Sequence, residues 1–129
     1  MPQPKVMIVD DDANSRAVLC DVLGGEPYTL LEAANGQQAL ELANKELPDL
    51  ILLDIMMPNM DGFEVIRRMK KSENLRLIPI IVITAKTNFL EENEALEKDI
   101  AGYVIKPFEV GPLLAKINKT LSGGKPSAE

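Results

Sequence analysis

Short apolar runs without polar interruption alternate with longer stretches in which apolar residues recur every three or four positions. The short runs are typical of strands buried on both faces of a parallel sheet, and the longer stretches of amphipathic helices. The pattern predicts strands at residues 6–9, 28–32, 50–53, 80–83 and 103–105, and helices at residues 13–23, 36–45, 63–71, 88–99 and 109–121. Five strand–helix units favour an α/β fold, a doubly wound parallel sheet with helices on both faces.

Capping and linker residues mark the limits of this pattern. Asp12 stands where the first helix would take its N-cap, and Gly24-Gly25 would end that helix. Residues 122–129 are rich in Gly, Ser and Pro, as flexible segments are. We therefore expect one domain over residues 1–121, followed by a flexible tail or the start of a linker.

Carboxylates follow two of the predicted strands directly. The first strand runs into Asp10, Asp11 and Asp12, and the third runs into Asp54. The carboxyl ends of parallel strands share one edge of the sheet, so these side chains should meet there. Neighbouring carboxylates repel one another unless a cation relieves them, and Mg²⁺ prefers such hard oxygen ligands. The sequence therefore predicts a Mg²⁺ site with a reactive carboxylate beside it.

Two further strand ends add groups that suit phosphate chemistry. Thr84, followed by the small Ala85, ends the fourth strand, and Lys106 follows the fifth. An aspartate is already ionised at neutral pH, so Asp54 could attack phosphorus without a general base. The hydroxyl, the ammonium and Mg²⁺ would then stabilise the phosphoryl oxygens.

Composition narrows the possible classes of protein. The chain has 129 residues, is 46% hydrophobic and 26% charged, and carries a net charge of −6. We expect no direct contact with nucleic acid, because no basic stripe is present, and no membrane span, because no apolar stretch is long enough. With no histidine and with Cys20 as its one cysteine, this chain offers no histidine ligand and no internal disulfide. A cytoplasmic location fits these features.

Four segments together resemble the receiver domain of two-component response regulators, especially the single-domain chemotaxis regulators. The resemblance extends from residue 5 to about residue 121. The segments are Val9-Asp10-Asp11-Asp12, Asp54-Ile55-Met56-Met57-Pro58-Asn59-Met60-Asp61-Gly62, Ile83-Thr84-Ala85 and Gly102-Tyr103-Val104-Ile105-Lys106-Pro107-Phe108. It implies a flavodoxin-like (βα)₅ three-layer sandwich with strand order 2-1-3-4-5.

The resemblance also implies a function and a metal site. Asp54 would be the phosphoacceptor and would take a phosphoryl group from a phosphohistidine of a sensor histidine kinase or phosphotransfer protein. Asp10, Asp11, Asp54 and the backbone carbonyl of Met56 would hold Mg²⁺. The chain would then be a phosphorylation-gated signalling module rather than an enzyme. It would act on an unknown output protein or a fused output domain, as a monomer or as a phosphorylation-dependent homodimer.

The remaining motif residues would bind the phosphoryl group and transmit its presence. Thr84, Ala85 and Lys106 would bind its oxygens, and a cis peptide bond before Pro107 would direct the lysine to the site. Movement of Thr84 would let Tyr103 rotate inward. That change would switch the face formed by the fourth helix, the fifth strand and the fifth helix for partner binding.

Met56 affects the expected stability of the phosphoryl group and the choice among rival functions. Met56 cannot orient a hydrolytic water by a hydrogen bond, and Lys86 could pair with the phosphoryl group, so we expect slow dephosphorylation. A haloacid-dehalogenase-type phosphatase would need an aspartate where Met56 stands. A flavodoxin-like cofactor binder would need a phosphate-binding loop in place of Asp10-Asp11-Asp12. A pseudo-receiver that works without phosphorylation would not need the complete acidic and phosphoryl-binding set.

Overall fold

Strands and helices alternate along the chain as the hydrophobic pattern predicts. The computed structural model describes residues 3–86, 88 and 94–123, so most of the predicted tail lies outside the described residues. The elements are β1 (Lys5–Val9), α1 (Ala13–Leu23), β2 (Thr29–Ala33), α2 (Gly36–Glu46), β3 (Leu50–Leu53), α3 (Gly62–Lys70), β4 (Ile80–Thr84), β5 (Gly102–Ile105) and α4 (Val110–Leu121).

The fourth predicted helix, at residues 88–99, differs from the prediction in its described part. Glu94–Asp99 forms a 3₁₀ helix, and residues 89–93 lie outside the described residues. Short 3₁₀ segments commonly connect other elements, and this one leads into β5, which begins at Gly102. The prediction of a helix was thus correct for residues 94–99, but the apolar spacing did not distinguish the two helix types.

The five strands form one parallel sheet in the order β2-β1-β3-β4-β5, which confirms the flavodoxin-like topology. Alternate strand residues pack on opposite faces because side chains in a strand alternate in direction. On one face, Met7 and Ile51 pack with residues of α2 and α3 such as Ala39 and Val65. On the other, β-strand residues such as Ile8 join apolar residues of α1 and α4. The three-layer sandwich is therefore confirmed.

Local side-chain bonds mark where α1 and α3 begin. The Asp12 carboxylate accepts a hydrogen bond from the Asn14 N–H at the start of α1, and Asp61 accepts one from the Glu64 N–H at the start of α3. Over the residues that the structure describes, no helix combines the length and apolarity needed to cross a bilayer. The cap at Asp12 also starts α1 directly after the acidic strand end, which fixes the helix next to the site.

Candidate phosphoacceptor site

Adjacent parallel strands bring the predicted site residues to one edge of the sheet. Val9 pairs with Leu53 in the register of β1 and β3, so Asp10 and Asp54 leave the sheet side by side. The Asp54 N–H donates to the Val9 carbonyl at 3.0 Å, and the Lys106 N–H donates to the Thr84 carbonyl at 2.8 Å. Backbone bonds thus continue past the strands and fix where these side chains start.

Asp10 is a buried carboxylate held by several hydrogen bonds. Asp10 is only 2% exposed. Oδ1 accepts from the Asp12 N–H at 2.9 Å, and Oδ2 accepts from Lys106 Nζ at 2.9 Å. Its backbone N–H donates to the Ala33 carbonyl of β2 at 3.2 Å. Asp10 therefore has one defined orientation.

Asp54 is 9% exposed and lies against the same lysine. Oδ1 accepts from the Met56 N–H at 3.0 Å, and Oδ2 accepts from Lys106 Nζ at 3.2 Å. Burial raises the pKa of Asp54 above its ordinary value, and the nearby charge of Asp10 adds to that rise. The Met56 N–H and Lys106 oppose it but do not offset it. A further cation at this site would therefore stabilise the charged form of Asp54.

Lys106 joins the two carboxylates with its ammonium group. Burial alone would lower the pKa of Lys106, but the hydrogen bond to Asp10 and the charges of Asp54 and Asp10 outweigh burial and raise it. The ammonium therefore stays charged beside the two carboxylates. The Lys106–Pro107 peptide bond that follows is cis.

Three carboxylates form a donor set that fits a hard cation. Asp10, Asp11 and Asp54 each offer an oxygen, and these oxygens lie within 4.8 Å of one another. Asp11 is exposed, whereas Asp10 and Asp54 are buried at the strand ends. Mg²⁺ is a hard ion that takes oxygen ligands from carboxylates, water and phosphate, so this group of carboxylate oxygens suits it.

The residues that follow β4 lie at the same edge. Thr84 is fully buried, and its Oγ1 accepts from the Lys86 N–H at 3.2 Å. Ala85 is exposed beside it. On the neighbouring strand, Tyr103 pairs with Val82 and is 44% exposed. The Thr84 hydroxyl is thus anchored near the strand ends while the tyrosine ring lies at the edge of the sheet.

Sequence reasoning missed Arg16, which lies on α1 next to the acidic strand end. Its Nη1 donates to the Asp10 carbonyl at 2.7 Å, and its Nε donates to Glu32 at 3.2 Å. In the sequence, only the position of Arg16 indicated this role: a helix that begins directly after Asp12 has its first turn near the end of β1. Spacing by itself did not show that the arginine turns inward.

The comparisons with known proteins all point to one family. The sequence profile described as response regulator receiver domain matches residues 6–118. Sporulation initiation phosphotransferase F of Bacillus subtilis (strain 168) is 38% identical over 122 residues, with 94% of this chain and 96% of that protein covered. The probable transcriptional regulator ycf27 of Guillardia theta is 38% identical over 117 residues, which cover 91% of this chain and 45% of that protein.

Solved structures give the same result. The chemotaxis protein CheY4 of Vibrio cholerae superposes with a TM-score of 0.83 at 30% identity, covering 92% of this chain and 98% of that one. Several of the curated relatives are longer proteins, of which this chain spans about half the length. The likeness to those longer proteins therefore concerns only the part of them that this chain matches.

Proposed function

This chain belongs to the response regulator receiver family, and we propose that it accepts a phosphoryl group on Asp54 from the phosphohistidine of a sensor histidine kinase or phosphotransfer protein. The family consists of phosphorylation-gated signalling modules of two-component systems rather than classical enzymes. The observation that carries the proposal is the joint contact of Lys106 Nζ with Asp10 and Asp54, at 2.9 and 3.2 Å.

The transfer exchanges one bond to phosphorus for another. A carboxylate oxygen of Asp54 attacks the phosphorus in line with the nitrogen–phosphorus bond of the phosphohistidine. That bond breaks, its electron pair stays on the imidazole nitrogen, and the imidazole takes up a proton from solvent. The Met56 N–H, already 3.0 Å from Oδ1, holds the attacking carboxylate in place.

Receiver domains bind Mg²⁺ at an acidic pocket, and Asp10, Asp11, Asp54 and the Met56 carbonyl would hold the ion in this chain. When bound, Mg²⁺ supplies positive charge to the phosphoryl oxygens. The Lys106 ammonium moves from its two carboxylates to a phosphoryl oxygen, and Ala85, an exposed residue, contributes its backbone N–H. These groups disperse the charge that collects on the oxygens during transfer.

Phosphorylation switches a surface for partner binding through Thr84 and Tyr103. The Thr84 hydroxyl gives up its bond from the Lys86 N–H, at 3.2 Å, and turns to the phosphoryl group. Tyr103, 44% exposed at the sheet edge, follows into the space that Thr84 leaves. The face that includes β5 and α4 then favours its partner, either a separate output protein or an output domain of a longer chain.

Two kinds of partner are compatible with the proposed switch. Longer relatives such as ycf27 are named transcriptional regulators, so nucleic-acid binding by an attached domain is compatible with this family. For this chain we propose no direct contact with nucleic acid or membrane, a cytoplasmic location, and a monomer or phosphorylation-dependent homodimer.

A single labelling experiment tests the proposal. Incubation with acetyl phosphate and Mg²⁺, followed by intact mass measurement, should add one phosphoryl group to the wild type and none to Asp54→Asn. Asp49→Asn is the matched control, because Asp49 is an exposed aspartate that accepts from the Lys5 N–H at the other end of the sheet. Equal labelling of wild type and Asp54→Asn would refute Asp54 as the phosphoacceptor.

A further inference from the structure

The side chain of Arg16 connects three elements at the acidic end of the sheet. It lies on α1, donates from Nη1 to the Asp10 carbonyl after β1 at 2.7 Å, and pairs through Nε with Glu32 of β2 at 3.2 Å. The arginine side chain is 19% exposed, which is low for a surface arginine. The fork of the guanidinium group thus reaches two acceptors on neighbouring strands at once.

The bond to the Asp10 carbonyl has a consequence for Asp11. A peptide unit is planar, so fixing the carbonyl oxygen of Asp10 also fixes the N–H and Cα positions of Asp11. The other polar groups of Asp10 are held by Ala33, Asp12 and Lys106. Arg16 holds the carbonyl oxygen of Asp10, which belongs to the peptide unit shared with the exposed Asp11.

We propose that Arg16 is a positioning residue that sets the cation selectivity of the Asp10–Asp11–Asp54 cluster, an inference that rests on the proposed Mg²⁺ site. Mg²⁺ demands near-ideal octahedral geometry and short bonds, whereas Ca²⁺ accepts longer bonds and irregular coordination. A carboxylate whose backbone is fixed therefore favours Mg²⁺. The same carboxylate on a looser backbone discriminates less between the two ions.

The positive charge of Arg16 acts in the opposite direction. A guanidinium beside an acidic cluster repels a cation, so a purely electrostatic role predicts that loss of this charge tightens binding of both ions. Arg16→Lys separates the two roles, because lysine keeps the charge but offers a point donor instead of a fork. A positioning role predicts weaker Mg²⁺ binding in this variant, and a role of charge alone predicts no change.

The test is calorimetric titration of the full chain with MgCl₂ alone and, separately, with CaCl₂ alone. Arg16→Lys should weaken Mg²⁺ binding about tenfold and Ca²⁺ binding less than about twofold, so that the ratio of the two affinities falls. Glu32→Gln should give a smaller loss for Mg²⁺, because the bond to the Asp10 carbonyl remains. Arg76→Lys is the matched control, since Arg76 is exposed before β4 at the opposite end of the sheet, and it should leave both affinities unchanged.

The outcomes distinguish this inference from the proposed function. An unchanged ratio of the Mg²⁺ and Ca²⁺ affinities in Arg16→Lys overturns the inference, whether both affinities stay as in wild type or fall equally, as general loosening would make them. Thermal unfolding in EDTA, run beside the titrations, shows whether the variant stays folded. If wild type fails to bind Mg²⁺ at all, the proposed metal site itself is refuted, whereas wild-type binding that Arg16→Lys retains in full refutes the inference alone.

Discussion

The two ends of the sheet both carry charged pairs, but in different surroundings. At the amino ends, Lys5 Nζ lies 3.1 Å from Glu46 Oε1, with side chains 41% and 30% exposed. At the carboxyl ends, Lys106 Nζ lies 3.2 Å from Asp54 Oδ2, with side chains 23% and 11% exposed. The distances are almost equal. Water screens the first pair more than the second, so burial rather than distance distinguishes the end of the sheet where we propose phosphoryl transfer.

The largest contrast is expected on replacing the lysine of each pair. Lys106→Met should slow phosphorylation by acetyl phosphate about a hundredfold, because it removes the positive charge next to the phosphoryl oxygens. Lys5→Met removes an equivalent lysine at the amino ends and should leave the rate unchanged. Rates would be followed by intact mass at saturating Mg²⁺. A wild-type rate in Lys106→Met would mean that the buried pair has no role in transfer.

Glycines provide the second contrast. A Cβ at Gly62 would stand 2.6 Å from the Ile55 Cα and 2.8 Å from the Asp54 carbonyl oxygen, both backbone atoms that cannot turn aside. Gly62→Ala should therefore lower the free energy of unfolding by about 2 kcal/mol. Gly25, before β2 at the amino ends, has nothing within 4 Å of such a Cβ, and Gly25→Ala should raise it by about 0.5 kcal/mol. Urea unfolding of both variants measures the difference, and equal effects would contradict the tight packing under Asp54.

Exposed apolar side chains give the third contrast. Met56 and Leu77 are 57% and 73% exposed, but only Met56 lies beside Asp54. We expect a phosphoryl lifetime much longer than seconds, since the Met56 thioether cannot orient a water for attack and Lys86 could pair with the phosphoryl group. Met56→Gln, which can hydrogen-bond to such a water, should shorten the lifetime about tenfold, whereas Leu77→Gln should not. Decay in Mg²⁺ buffer, followed by intact mass, tests both; a wild-type half-life of seconds would refute slow dephosphorylation.

The smallest effect concerns stability and pH. Because the native state raises the pKa of Asp54 above its ordinary 3.8, it holds the proton more tightly than the unfolded chain does. Stability is therefore lost as the pH rises from 3.8 through the native pKa. Asp54→Asn has no charge to bury, and Lys106 keeps its contact with Asp10 at 2.9 Å. The Tm of Asp54→Asn should therefore be higher than that of wild type by about 3 °C at pH 7 in EDTA.

That gain should disappear below pH 3.8, where Asp54 is protonated in both states. Asp49→Asn, at the exposed amino ends, serves as the control and should shift Tm little at either pH. Thermal unfolding between pH 3 and pH 7 gives the full curve. A gain for Asp54→Asn that does not vary with pH would show that burial of the charge is not its cause.

Sequence patterns located the strands and the site-bearing strand ends well, because both depend on local signals. The unbroken apolar run of residues 50–53 predicted a buried strand, and all four of its residues are indeed buried. The 3₁₀ form of Glu94–Asp99 was not predicted, because apolar spacing of three to four residues is compatible with either helix type.

The sequence by itself determined which groups could react: carboxylates after two strands, a threonine after the fourth and a lysine after the fifth. Only the tertiary structure decided how they differ. Asp10 and Asp11 are neighbours of identical chemistry, but Asp10 is buried on Lys106 while Asp11 is exposed. The inward turn of Arg16 onto the Asp10 carbonyl likewise depends on the packing of α1 against β1 and β2. Burial and hydrogen-bond partners come from segments far apart in the chain, so no local pattern can encode them.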